Sequence, residues 1–259
     1  MRNPIVSTLA NLMAQHPEYG FATQFAPANE RMNSVIGFFN YYDQVFRDAA
    51  IPATLHMVFY DAAGNECSAH SVKVGPNNAV QFDARANGVD SDGMVAIAAI
   101  PDLDIHKINN SKLKLRSSIT TGFYIKWENE QGGHDIMHEW AALRSKPLGE
   151  ATHHVGFVRA AMPIEHGVVL MNPVSMAGAA SLPRLRLRES GSRRTLAESN
   201  VEPIPAMGSR TIKLTDHFPD FSQRLEAGTV LVVDVTAENL SPPLTMEWHP
   251  CGDFHIHHL

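Results

Sequence analysis

The sequence predicts an all-β protein: a short N-terminal helix followed by two tandem antiparallel β-sandwiches related by internal duplication. Three observations carry this. A set of landmarks occurs twice in the same order, and a repeat of this kind fixes architecture before any residue chemistry is considered. Apolar runs alternate with period 2 and are separated by turn residues roughly every 8–12 positions, the spacing of a sandwich. Helical patterns of about 10–15 residues do not intervene between those runs, which excludes a parallel sheet built from strand–helix–strand units.

The elements follow in order. Residues 3–16 read as a helix, with Asn3 as cap, Pro4 at the first helical position and Ile5, Leu9, Leu12 and Met13 at helical spacing. Pro17 ends it. Such a helix is expected to cover an open sheet edge; a targeting or partner-binding helix is the alternative. The first copy then opens at Tyr19-Gly20-Phe21 and the second at Val155-Gly156-Phe157, with Pro27 and Pro163 at the same distance beyond the glycine. Apolar strands run into asparagines at Val35 to Asn40 and Val168 to Asn172. Alternating strands follow at Leu55 to Gly64 and Leu182 to Gly191. Turns marked by Pro76 and Pro205 precede glycine-led strands at Gly93 to Ile97 and Gly228 to Val232. Each copy closes on a tryptophan strand, a glycine turn and a histidine strand, Trp127 to Trp140 and Trp248 to Leu259. The expected domains are therefore 1–18 for the helix and 19–144 and 153–259 for the sandwiches. Breaker and polar residues between Arg144 and Thr152 form the link. Insertions interrupt the copies at 102–120 and at Asp216 to Glu226, in end loops where specificity resides in many sandwiches.

Composition narrows the functional classes. Apolar content of 44% and charged content of 19% over 259 residues allow each half a core of its own. A net charge of -6 disfavours nucleic acid and anionic membrane surfaces as partners. Two cysteines, Cys67 and Cys251, are too few for a disulfide framework and read as free buried thiols in a reducing compartment. With no secretion signal and no apolar run of about 20 residues, the expected location is cytoplasmic.

Two constellations carry chemistry. At the C-terminus, His255 and His257 lie two residues apart on a strand. That puts both on one face at about 6.5–7 Å, close enough to share a divalent transition metal. His249 is the third ligand in the expected set, with His153, His154, Asp253 and Glu247 also in reach. In the first copy, His134 and His138 are four apart on a strand, about 13 Å, too far to hold one ion together. The second constellation is Arg184, Arg186 and Arg188, three guanidinium groups on one strand face with Leu185 and Leu187 turned to the core and Arg193 and Arg194 following. Guanidinium forks match planar anions, so this stripe is a candidate site for a small carboxylate, phosphate or sulfate, or for an acidic partner surface. A solvated face balanced by Glu189, Glu198 and Glu202 is the other reading. Phosphate-cradling loops, dinucleotide glycine fingerprints and serine nucleophile elbows are missing from the sequence.

The strand-and-turn pattern of each copy resembles bacterial immunoglobulin-like β-sandwiches. Within it, Leu55 to Asp83, with the Phe59-Tyr60-Asp61-Ala62-Ala63-Gly64 turn and the Gly75-Pro76 turn, is similar to the small sandwich of the sensory rhodopsin transducer family. That resemblance covers about a third of one copy, implies a non-enzymatic, oligomerising, ligand-binding domain and carries over no functional residue. The expectation is thus a non-catalytic binding or assembly protein that recognises a small anionic ligand or a protein partner, itself included. The alternative is a metal-dependent enzyme with histidine ligands at the C-terminal hairpin and Glu247 or Glu139 as base.

Overall fold

The structure, a computed structural model, describes residues 7–17, 19–43, 50–103, 122–138, 140–158, 164–191, 194–226 and 230–258. The first copy contains β1 (Ala22–Phe25), β2 (Asn33–Phe39), β3 (Ala53–Tyr60), β4 (Glu66–Val74), β5 (Ala79–Asp83), β6 (Met94–Pro101), β7 (Phe123–Glu128), β8 (His134–Met137) and β9 (Ala141–Ala142). The second contains β10 (Ala151–Val158), β11 (Glu165–Met171), β12 (Arg184–Glu189), β13 (Thr195–Asn200), β14 (Ser209–Lys213), β15 (Leu231–Glu238), β16 (Leu244–Trp248) and β17 (Phe254–His258). Among the described residues, short helices accompany them at α1 (Thr8–Gln15), α2 (Leu214–His217) and α3 (Phe221–Glu226).

The strands form four antiparallel sheets, ordered β4-β3-β6-β1-β9 and β5-β2-β7-β8 in the first copy, and β13-β12-β15-β10 and β14-β11-β16-β17 in the second. Subtracting nine from each label of the second pair reproduces the order of the first pair, apart from the two-residue β9. The protein is therefore an all-β pair of sandwiches of one topology with a short N-terminal helix, as the repeat predicts. The chain divides into two compact units, Met1–Asp61, Glu66–Trp127 and Ile136–Leu143 in one, and Ala62–Asn65, Glu128–Asp135 and Arg144–Leu259 in the other. Among the described residues no helix is long and apolar enough to cross a membrane.

Alternation places the cores. In the second unit Val168, Leu170 and Ile212 from one sheet meet Leu185, Leu187, Val233 and Val235 from the other, all buried. The 216–226 insertion, expected as a specificity loop, instead forms α2 and α3 and contributes Phe218 and Phe221 to that core. Burying two such rings stabilises the unit by about 1.5–3 kcal/mol each. In the first unit Phe59 stacks on Phe82 at 6.0 Å, and Phe38 packs at a tilt against Phe123 at 5.3 Å. The repeated asparagines are fully buried in both copies. Asn40 Nδ2 donates to the carbonyls of Ile51, Val74 and Gly75, and Asn172 Nδ2 to those of Ala179 and Ile204. Each amide thus ties the end of β2 or β11 to the loops beside it, which no apolar side chain could do.

Several expectations need correction. The described helix starts at Thr8 and is capped by Ser7, whose Oγ accepts from Ala10 N–H at 3.1 Å; Asn3, Pro4 and Ile5 lie outside the described residues. It lies against the outer face of β3 and β4 rather than along a bare edge. Thr8 N–H donates to Glu66, and the His16 and His56 rings are 6.1 Å apart. The linker is shorter than expected, because β10 begins at Ala151. Both cysteines are free, but exposed rather than buried.

Four repeat columns also shift. The opening glycines are not equivalent, because Gln24 pairs with Val95 as Gly156 pairs with Val233. Both β3–β4 and β12–β13 contain a bulge, after Phe59 and after Leu187, so Phe59 matches Leu187 and the glycine-based alignment is off by one. Likewise Val95 pairs with Phe59 as Val233 pairs with Leu187, so the glycines 93 and 228 are not equivalent. In the closing hairpins the turn bonds coincide: Asn129 N–H to Gly133 O and Gly132 N–H to Asn129 O, against His249 N–H to Asp253 O and Gly252 N–H to His249 O. Asn129 therefore matches His249, and Trp127 matches Glu247. Trp248 matches Glu128, on the opposite strand face from Glu247. The 102–120 insertion lies almost wholly outside the described residues, as do Glu139, Pro163 and Arg193.

Candidate binding site on the second sandwich

Register decides which polar side chains meet. On β11, Val168 and Leu170 point into the core, so His166 two residues earlier points the same way. Across β11–β16, His166 pairs with Glu247 and Val168 with Thr245; across β16–β17, Glu247 pairs with His255 and Thr245 with His257. Paired residues share a face. His166, Glu247, His255 and His257 therefore all lie on the inner face of one sheet, and His249 follows on the same face of β16. In the first copy the corresponding positions are Ser34, Trp127, Asp135, Met137 and Asn129. There Trp127 is wholly buried and its indole N–H donates to Phe25 O at 3.0 Å. Where the first sandwich plugs this end with an indole, the second presents a carboxylate and four imidazoles.

The cluster grades from buried to open. The His166 and Glu247 side chains are 4% and 13% exposed, whereas His255 and His257 are exposed. His166 packs edge-on against Phe221 at 5.7 Å, so the α3 insertion fixes its ring. Its Nδ1 stands 3.8 Å from Glu247 Oε1, and its Nε2 is buried with no hydrogen-bond partner among the described residues. His249 Nε2 is in the same condition. Burial holds the His166 pKa below the ordinary histidine value; Glu247 opposes this and His249 reinforces it. The ring of His255 lies 5.4 Å from that of His249 and 5.9 Å from that of His257. Across the sandwich His154 also turns inward, since it pairs with the core residue Val235; its Nε2 too is buried with no hydrogen-bond partner among the described residues. His153, on the outer face, is 3.8 Å from Asp234.

The structure thus brings His249, His255 and His257 onto one face, as their spacing predicts. As they stand, no three His, Cys, Asp or Glu side chains among the described residues are grouped so as to hold a metal ion. His166 escapes sequence reasoning because no motif marks it. Counting back six residues from the asparagine of each copy would have found it, since that column holds Ser34 in one and His166 in the other.

The arginine stripe is built differently. Arg184, Arg186 and Arg188 do share the outer face of β12, and their counterparts in the first copy are His56, Val58 and Tyr60, of which His56 faces His16. The guanidinium groups already hold protein carboxylates. Glu198 accepts from Arg184 and, at 2.9 Å, from Arg186. Arg188 grips Asp234 with two bonds of 2.6 and 2.7 Å. The balancing acids are Glu198, as expected, and Asp234, which the sequence did not point to; Glu202 pairs with Arg210 instead. Asp234 is nearly buried, so its pair with Arg188 is the structural one, while the bonds to Glu198 are exposed and screened.

No protein-family model matches the chain, and no curated protein matches it. Among solved structures, two glycosyl hydrolase family 2 members are similar to it, one from Bacteroides cellulosilyticus at 11% identity and one from Bacteroides cellulosilyticus DSM 14838 at 13%, each with a TM-score of 0.22. The alignments cover 92% of this chain but only 26% and 28% of those chains, so it spans about a quarter of their length.

Proposed function

We propose that the protein is a non-catalytic binding protein made of duplicated β-sandwiches, and that its ligand site is the histidine-lined inner face of the second sandwich. One observation carries this reading. At the same place in one fold, the first copy has a packed Trp127 and the second has Glu247 among four histidines. Exchanging core packing for unpartnered polar groups lowers stability, and such local departures from consistency concentrate at functional sites. The arginine stripe is the weaker candidate for an anion, since each of its guanidinium groups is bonded to a carboxylate of the chain itself. A cytoplasmic setting and self-association through exposed apolar positions such as Val155 and Leu182 belong to the same proposal. So does an immunoglobulin-like ancestry, in which the B–E and C–F pairs correspond to β2–β5 and β3–β6 while the first, fourth and seventh strands change sheets. The likeness of residues 55–83 to the sensory rhodopsin transducer family extends to that hairpin region alone.

Side-chain NMR of histidine and arginine during titration with phosphate, acetate, ethylammonium and zinc tests the site. The reading expects at least one probe to shift His166, His249 and His255 together. Shifts confined to Arg184, Arg186 and Arg188, or none at all, would contradict it.

A further inference from the structure

We propose that the ligand of this cluster is a divalent transition-metal ion, bound between His166 Nδ1 and the Glu247 carboxylate, with His249 and His255 completing its coordination. The proposal deepens the binding reading above and rests on it. Its starting point is the 3.8 Å between His166 Nδ1 and Glu247 Oε1. That distance is too long for a hydrogen bond. Two donors that each lie about 2.0–2.2 Å from one ion stand up to about 4.2 Å apart, so the spacing suits an ion between them.

Charge and burial point the same way. Glu247 is nearly buried, and no Lys or Arg pairs with it among the described residues. A carboxylate withdrawn from water without a cation is costly, and a bound cation removes that cost. His166, nine-tenths buried and wedged against Phe221, is a fixed ligand. His249 keeps a buried nitrogen with no protein partner among the described residues. Imidazole nitrogen with one carboxylate suits zinc, nickel or copper and is a poor set for magnesium or calcium. Two of the donors are already close. The other two rings stand 5.4 Å and 87° apart, and His255 is exposed, so it has room to swing about its side-chain torsions toward the ion. The first copy is an internal control, because Ser34, Trp127, Asn129 and Asp135 at the matching positions include no imidazole. This set moves the centre of the site from β17 toward β11 and leaves out His257, which pairs across to Thr245 one step farther along the sheet.

The test is isothermal titration of the full, untagged chain, stripped with chelator, against Zn2+, Ni2+ and Mg2+. The expected result is one equivalent of zinc or nickel and no magnesium. Glu247→Gln and His249→Ala should each weaken zinc binding by about tenfold or more, the usual effect of losing a ligand or the group that orients one. His257→Ala should change it less than about threefold. Because His166→Ala removes a buried side chain and can unfold the unit, the near-isosteric Glu247→Gln carries the test, with circular dichroism confirming its fold. No zinc or nickel binding, or binding lost in His257→Ala yet unchanged in Glu247→Gln, would overturn the proposal. If zinc fails while phosphate, acetate or ethylammonium still shifts the cluster in the NMR titration, the ion falls and the binding reading stands.

Discussion

Trp127 and Glu247 occupy the same place in two copies of one fold, one a core indole and the other a nearly buried carboxylate. Trp127 closes a core and bonds to Phe25; replacing it with alanine should destabilise the first unit by about 3–5 kcal/mol in urea unfolding. Asn172 serves both copies' common architecture through its counterpart Asn40. Asn172→Ala leaves the Ala179 carbonyl without its buried donor and Ile204 O with Ser181 N–H alone, and should cost about 1–3 kcal/mol. A loss below 0.5 kcal/mol, roughly that of a surface change, would show that water replaces the amide. His56 adds a pH dependence. Burial, and then the neighbouring His16, lowers its pKa in the folded state below 6.5. Its contribution to stability is therefore complete above pH 6.5 and is lost as pH falls through that value toward the folded pKa. Thermal melts at about pH 7.5 and 5.5 should show the first unit weakening in acid, and His56→Gln should weaken less.

At the scale of elements, the strands were legible and their exact alignment was not. Leu55, Met57 and Phe59 alternate with His56, Val58 and Tyr60, so β3 is visible by period alone, and the inward leucines of β12 are equally plain. The bulges after Phe59 and Leu187 occur in both hairpins, but Gly64 follows Phe59 by about five residues and Gly191 follows Leu187 by about four, so aligning on the glycines slips the strands by one. Once corrected, the arginines of β12 match His56, Val58 and Tyr60. The basic stripe is then the outer face of β12, the strand equivalent to β3. Arg188→Ala should destabilise the second unit clearly more than Arg186→Ala in urea unfolding, because the nearly buried Asp234 then keeps only the exposed His153, 3.8 Å away. Arg186→Ala, whose partner Glu198 is solvated and shared with Arg184, should change stability little. Equal losses in the two variants would contradict this division.

For the whole molecule, duplication was readable from order alone, and the common sheet order of the two sandwiches accounts for it. The site was readable only in part. His249, His255 and His257 share one hairpin, so local spacing brings them together on paper. His166 lies some 80 residues upstream and joins them only through the register of three strands, a long-range fact that pattern reading does not reach. On the proposed function, the second copy gave up packing at this end in order to bind. Urea unfolding of Glu247→Trp combined with His166→Ser, which restores the residues of the first copy, measures that trade. Removing a functional site commonly raises stability, so the second unit should gain about 1–2 kcal/mol. A loss of stability on that exchange would show that Glu247 and His166 are there to hold the fold, and would contradict the claim.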